Sequence, residues 1–492
     1  MSTVIPNHIS SMSAGRLADA LGAPTLEASS RASGSPLYAH LASELRRLVE
    51  TGVLSSGTRL PAERALSASL GVSRVTVASA YRDLRDAGLL RSQQGAGTFV
   101  APTARESWGS LSRHNGSGVL EFVNASPSAS PLLHEAYLHA VERVRDRLPD
   151  SGYAPGGSVE LKESVAAYYT RRGLPTSTSN ILITCGASDA AHAILDTLIE
   201  PGGRVLVEHP TYPGVVDAVA STGGRCIPVS VDPDDPDGFV AAADLAARQS
   251  APTLAYFMPD FSNPSGTRLP VDSRRRLSAT MHRHGVLTVV DEVSADLGLD
   301  DSPALEPFGV ATPARATITL GSTSKTVWGG IRVGWVRAEP SMIDRIASTY
   351  ARRQLSASIL DQTVAALLLD HYDEVCGARS QSLRAARDHL AASVREMLPD
   401  WSFRLPAGGL SLWCRLPTDL RSTDLVAAAH ARGVLLAPGP RFGLGHAFDD
   451  HQRIPFTRAL ADITDAVAVL ADITAAQSLS VDSAPRRPSV VV

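Results

Sequence analysis

The chain is short of lysine to an unusual degree: of its 46 basic residues only Lys162 and Lys325 are lysines, and the rest are arginines. Cysteine is also scarce, with Cys185, Cys226, Cys376 and Cys414 scattered and no CxxC or Cys/His ligand spacing. That excludes a disulfide framework and gives no zinc signature. No apolar run approaches the about 20 residues needed to cross a bilayer, and the N-terminus lacks the charged start and apolar core of a signal peptide. These absences lead us to expect a cytoplasmic protein with no membrane partner. Charge of one sign is missing too: a net charge of −4 over 492 residues excludes a globally basic nucleic-acid coat, although a small basic module can hide inside such an average.

What is present is ordinary globular material, 44% hydrophobic and 20% charged, long enough for several compact units. Residues 1–34 are rich in Ser and Ala and read as a mobile arm with a short amphipathic stretch from Leu17 to Leu21. Residues 35–101 are dense in helix signals and carry eight arginines against five acids. Residues 102–118 are polar and Gly/Ser-rich, which suits a linker. From 119 to 475 the apolar runs ILIT, RVLVEHP, TLAYFMP, GVLTVVDE and ATITLGS alternate with helical patterns. That alternation implies βαβ units and a mainly parallel sheet. Residues 476–492 read as a disordered tail.

Within 35–101 the first helix would bury Leu37, Leu41, Leu45, Leu48 and Val49 on one face and stop at Gly52. A second opens at Pro61 and ends at Gly71. Ser73 is placed to cap a third, whose Val77, Tyr81 and Leu84 face inward. The following LLRSQQGAGTFV reads as two short strands about a Gly-containing turn. Helices joined by a tight turn and followed by a hairpin describe a winged helix-turn-helix, with the third helix entering the major groove by its N-terminal end. Ser73, Arg74 and Thr76 lie there, suited to phosphate or guanine contact, and Arg64 would reach the backbone of promoter DNA.

The segment RLPAERALSASLGVSRVTVASAYRDLRDAGLLRSQQGAGTFV resembles the GntR-type winged helix over its whole length. The resemblance places DNA contacts on Arg64, Ser73, Arg74, Thr76 and Gly95 of the wing. It also marks a departure, since the family often has a polar side chain where this chain has Val75.

Lys325 lies after an apolar strand, in LGSTSKTVWGGIRVGW. Only a primary amine can form a Schiff base, and a guanidinium cannot replace it. In a chain that writes Arg almost everywhere, this retained lysine is a pointed exception. Lys162, on an amphipathic helix, reads as a solvated surface residue. Around Lys325, Ser322 and Arg332 offer a hydroxyl and a cation for a phosphate. The turn in ILITCGASDAAHAIL brings the amides of Ala187 and Ser188 to a helix N-terminus. Asp291 closes the strand GVLTVVDE, where a carboxylate can keep a pyridinium nitrogen protonated. Asn263 can donate to a phenolate oxygen, and Tyr212 can stack on a ring.

Together these residues resemble the fold-type I pyridoxal 5'-phosphate enzymes of the aspartate aminotransferase group, from 119 to 475. Asn263 precedes Asp291 by 28 residues, Asp291 precedes Lys325 by 34, and Arg332 follows the lysine by seven. The implied fold is α/β, a mainly parallel sheet with helices and a smaller α+β subdomain. The resemblance implies that Tyr153, in GYAPGGSVEL, reaches a partner subunit's cofactor phosphate, and hence a homodimer. It also implies that Arg453, in QRIPF, grips the α-carboxylate of a small amine or amino-acid effector, although Asp449 and Asp450 nearby allow a structural ion pair instead. One feature departs from the group: where a tyrosine usually follows the aspartate by two or three residues, this chain has Val293 and Ser294. Losing that donor weakens the tuning needed for transaminase turnover.

End to end, the order of units resembles the MocR group of bacterial regulators, which implies a pyridoxal-phosphate-dependent transcription regulator sensing an amine, an amino acid or the cofactor. The alternative is a working aminotransferase with an accessory winged helix.

Overall fold

The computed structural model describes residues 12–21, 36–50, 54, 58–86, 89–93, 97–100, 119–300, 305–445 and 447–482. The chain divides into two compact units, Met1–Val119 and Leu120–Val492. The wing residue Gly95, the linker 102–118 and most of the N-terminal arm lie outside the described residues.

The small unit contains four helices among its described residues: α1 (Ala14–Leu21), α2 (Leu37–Glu50), α3 (Glu63–Leu70) and α4 (Arg74–Asp86). Strands β1 (Leu90–Gln93) and β2 (Gly97–Val100) pair antiparallel, with Leu90 opposite Val100. The expected stripe is inside: Leu41, Leu45, Leu48 and Val49 of α2 pack with Val77, Tyr81 and Leu84 of α4 in one core. Gly71 ends α3 in the left-handed conformation at φ 69°, which costs glycine no Cβ clash. Helix α3 begins at Glu63, two residues after Pro61, whose carbonyl instead accepts a hydrogen bond from the Tyr81 hydroxyl at 3.1 Å.

Residues 12–21 correct the reading of a mobile arm over their own length. Leu17, Ala18 and Leu21 are buried in the same core as α2 and α4, and Met12 N–H donates to Arg59 O at 3.1 Å. An eight-residue helix is marginal by itself, so its stability comes from covering apolar surface left open by its neighbours.

The large unit is built on a seven-stranded sheet of order β4-β10-β9-β8-β7-β5-β6. The strands are β4 (Ile181–Thr184), β5 (Arg204–His209), β6 (Arg225–Ser230), β7 (Leu254–Phe257), β8 (Leu287–Asp291), β9 (Thr317–Ser322) and β10 (Gly334–Arg337). All point the same way except β10, which is antiparallel to both β4 and β9. Residues of β4, β7 and β9 are buried throughout, as expected for strands covered on both faces. Strands β6 and β10 were not anticipated from the apolar runs. Strand β6 is a partly exposed edge strand that tolerates Pro228, a position where a missing N–H costs no ladder bond.

A smaller α+β layer follows. Strands β11 (Ser402–Phe403), β12 (Ser411–Arg415) and β14 (His451–Pro455) form an antiparallel sheet. The helices Tyr372–Met397, Ser422–Ala431 and Leu460–Asp482 share a core with it. Strand β3 (Leu120–Glu121), at the start of the unit, pairs parallel with β13 (Val434–Leu435) near its end. The last helix continues to Asp482, past the expected boundary at 475, and Ile463, Ala466, Val467, Leu470 and Ile473 anchor its earlier turns in that core. Among the described residues no helix is long and apolar enough to cross a membrane, and no group of His, Cys, Asp and Glu is arranged to hold a metal ion.

Candidate functional site

Parallel sheets gather chemistry at the carboxyl ends of their strands, where loops diverge and backbone groups are free. Here Ala187 and Ser188 follow β4, Tyr212 follows β5, Asn263 follows β7, Asp291 ends β8, and Ser322 ends β9 with Lys325 three residues on. Arg332 precedes β10, and the reversed direction of that strand brings its start to the same edge.

Lys325 is half-buried and its Nζ donates to Ala125 O at 2.8 Å. Burial pushes its pKa down to about 8. Arg453 and Arg332 add to that effect, while Asp291 opposes it. Asp291 is itself buried, which raises its pKa; Tyr256, Val293 and Lys325 pull the other way. Its Oδ2 accepts the Tyr256 hydroxyl at 2.5 Å and its Oδ1 accepts Val293 N–H at 3.0 Å. Both groups are driven towards their neutral forms, so desolvation outweighs their mutual attraction.

Arg453 reaches the same place from β14. Its Nη1 donates to Asn263 Oδ1 at 3.3 Å, its Nη2 donates to Val123 O, and its guanidinium lies 4.6 Å from the centre of the Phe442 ring. Burial pushes its pKa down to about 10, opposed by Glu121 and Tyr212. The two nearby acids are engaged elsewhere: Asp449 accepts from Thr423, and Asp450 pairs with Arg415 and His451. Among the described residues Arg453 has no carboxylate in ion-pair contact, and its Nε is buried with no hydrogen-bond partner.

On the other side, Arg332 adopts φ 56° and its Nη2 donates to Cys185 O at 2.6 Å. A non-glycine residue in the left-handed region carries backbone strain, which is typically held at functional sites. The neighbouring loop has no room to spare. Gly186 stands at φ 95°, and a Cβ there would come within 2.9 Å of Arg332. This loop opens the helix Ala187–Leu198, and the Ser188 hydroxyl lies 3.4 Å from the Tyr212 hydroxyl.

Two of the expected residues stand apart from this cluster. The Ser322 hydroxyl is committed to its own turn, bonded to Ser324 Oγ at 2.7 Å and Val333 O at 2.8 Å. Tyr153 is largely exposed on the single chain. Lys162 also differs from expectation: it is half-buried, with its amine against the Gly156–Gly157 turn, and burial lowers its pKa. Sequence reasoning missed Tyr256, whose phenol inside an apolar strand required a buried partner. It also missed the carbonyls of Val123 and Ala125, which no side-chain pattern announces.

In the small unit, Ser73 caps α4: its Oγ accepts Thr76 N–H at 3.1 Å and bonds Thr76 Oγ1 at 2.8 Å. Arg74 projects from the first turn, 70% exposed, with Nε 3.7 Å from Glu63. Arg64 lies in the first turn of α3.

This fold and edge of charged groups define a class, and the chain belongs to the aminotransferase class I and II family, whose model matches residues 128–470. Residues 37–100 match the bacterial regulatory proteins of the gntR family. The chain is 29% identical to the HTH-type pyridoxine biosynthesis transcriptional regulator PdxR of Corynebacterium glutamicum, covering 87% of this chain and 95% of that protein. It is 27% identical to the HTH-type transcriptional regulator TauR of Rhodobacter capsulatus, covering 81% and 88%. Among solved structures it resembles the α-aminoadipate aminotransferase LysN of Thermus thermophilus, complexed with N-(5'-phosphopyridoxyl)-L-leucine. That match has a TM-score of 0.67 at 23% identity and covers 77% of this chain and all of that one. The fold is therefore a fold-type I aminotransferase unit joined to a GntR winged helix, and members of this aminotransferase family bind pyridoxal phosphate.

Proposed function

We propose that the protein is a transcription regulator that binds promoter DNA through its winged helix and uses pyridoxal phosphate in its large unit to sense a small amine, an amino acid or the cofactor. The observation that carries this reading is the charge balance at the carboxyl edge of the sheet. Arg453 and Arg332 bear on Lys325 there, opposed by Asp291, and among the described residues no carboxylate is in ion-pair contact with Arg453. A buried guanidinium with no carboxylate partner is costly, so the site suits a ligand that brings its own negative charge.

When bound, pyridoxal phosphate supplies an aldehyde that condenses with a primary amine and a ring that withdraws electrons. Lys325, with its lowered pKa, offers that amine in neutral form to a larger extent than an ordinary lysine would. Asp291, held by Tyr256, would face the ring nitrogen, Asn263 the phenolate oxygen and Tyr212 the ring face. The amides of Ala187 and Ser188, with Arg332, would hold the phosphate, joined in a homodimer by the partner subunit's Tyr153; Ser322 would join them only by giving up its bond to Val333 O. Arg453 would receive an effector's carboxylate, its fork matching two oxygens. For the site to act as a switch, the effector must favour one arrangement of the chain by a difference in binding energy.

A second reading, a working aminotransferase, draws support from the presence of Lys325 with its lowered pKa, Asp291 and Arg453 together. Val293 and Ser294 weigh against it.

Both readings are tested in one sample at stated salt. Promoter affinity and the visible absorption of bound cofactor are followed while pyridoxal phosphate and then a panel of amino acids are added. A change in DNA affinity without turnover supports the regulator. Steady conversion of amino acid to keto acid with unchanged DNA affinity supports the enzyme.

A further inference from the structure

The side chain at the front of α4 that sequence resemblance left without a role is Val75. It is 74% exposed, more than any other large hydrophobic residue among those described. Its position is set by the rest of the helix. Val77, Ala80, Tyr81 and Leu84 fill the opposite, buried face. That leaves Arg74, Val75, Arg82 and Asp83 exposed on the outer side, with the small half-buried Ala78 and Ser79 one turn further along.

The polar groups beside Val75 are already occupied. Ser73 and Thr76 satisfy each other and the helix cap, so their hydroxyls are spent locally. What the first turn of α4 presents outward is therefore one guanidinium and one branched aliphatic group. Valine leaves apolar surface in water here and is a mediocre helix former. Neither the fold nor the helix gains from it.

A major groove offers one apolar feature, the C5-methyl of thymine; the other exposed base-edge groups there are polar donors or acceptors. Resting on the reading of α4 as the DNA-contacting helix, we propose that Val75 is a specificity-determining residue that packs on a thymine methyl in the operator. The surrounding charge fits that occupant, with Arg74 and Arg82 outnumbering Asp83 on the exposed side and an arginine excess across the module. Ala78 and Ser79 are small enough to let the helix sit deep beside the bases.

The test uses the full chain. Duplexes are selected from a randomised DNA pool, and each thymine of a selected duplex is then replaced in turn by deoxyuridine, which removes only the methyl. The wild-type chain should lose affinity roughly fourfold at one thymine position, the effect of about one buried methyl group. Val75→Ala should bind the thymine and deoxyuridine duplexes equally and keep the thermal stability of the parent, since the side chain is exposed. If no deoxyuridine replacement matters, or if Val75→Ala keeps the same sensitivity, the inference is overturned while DNA binding stands. Failure to select any duplex overturns the DNA-binding reading itself, and this inference with it.

Discussion

In the small unit the side chains proposed to meet their target stand in water, whereas those of the large unit have been taken out of it. Arg74 and Val75 project from the first turn of α4. Asp291 and Arg453 are buried and Lys325 is half-buried, and loss of water is the largest cause of each of their pKa shifts. The difference follows from ligand size. A duplex cannot be enclosed by a module of this size, so its contacts work from the surface. A small ligand can be enclosed, and the same desolvation that costs folding energy then prepares an amine to react at neutral pH.

The largest effect that would sharpen this contrast is expected from Lys325→Ala. Borohydride reduction followed by mass spectrometry should find pyridoxal phosphate fixed to the wild-type chain and none on the variant. An adduct surviving on Lys162, the other lysine, would break the assignment. In the wild type, attachment should rise with pH and level off above about 8, well below the ordinary lysine value of 10.5. The unfolded chain holds this proton up to 10.5 while the folded chain releases it near 8. The cofactor-free protein should therefore gain stability as pH rises through that window, and carry the full penalty below it.

Next in size is Leu45→Ala, at a fully buried position of the small unit. It should cost about 2–5 kcal/mol, read as an earlier unfolding transition with pyridoxal phosphate attachment unchanged. Arg74→Ala is expected to cost about 1–3 kcal/mol of DNA affinity, again leaving the large unit untouched. An unchanged affinity would remove α4 from the groove. The smallest effect belongs to Ser73→Ala, where loss of the α4 cap should cost about 0.5–2 kcal/mol of small-unit stability.

Much of the architecture is legible in the sequence. Strands β4, β5, β7, β8 and β9 lie within apolar runs that a buried parallel strand requires, and α2 and α4 follow their leucine and valine spacing. Strand β10 was hidden inside the motif that follows Lys325, and β6 was masked by Pro228 and its partly exposed edge position. The amphipathic stretch from Leu17 to Leu21 was legible, but its docking was not, because the stability of α1 is borrowed from α2 and α3.

By itself, the sequence determined which groups were available: one amine after a strand in a chain nearly devoid of lysine, one aspartate closing the neighbouring strand, one arginine near the C-terminus. Local chemistry writes such choices directly into residue type and spacing. Only the tertiary structure decided their company. It placed Tyr256 against Asp291, Ala125 O against Lys325 and Val123 O against Arg453, and it sent Asp449 and Asp450 to other partners. Those outcomes depend on which distant segments exclude water from one another. That is a property of packing, and no spacing along the chain records it.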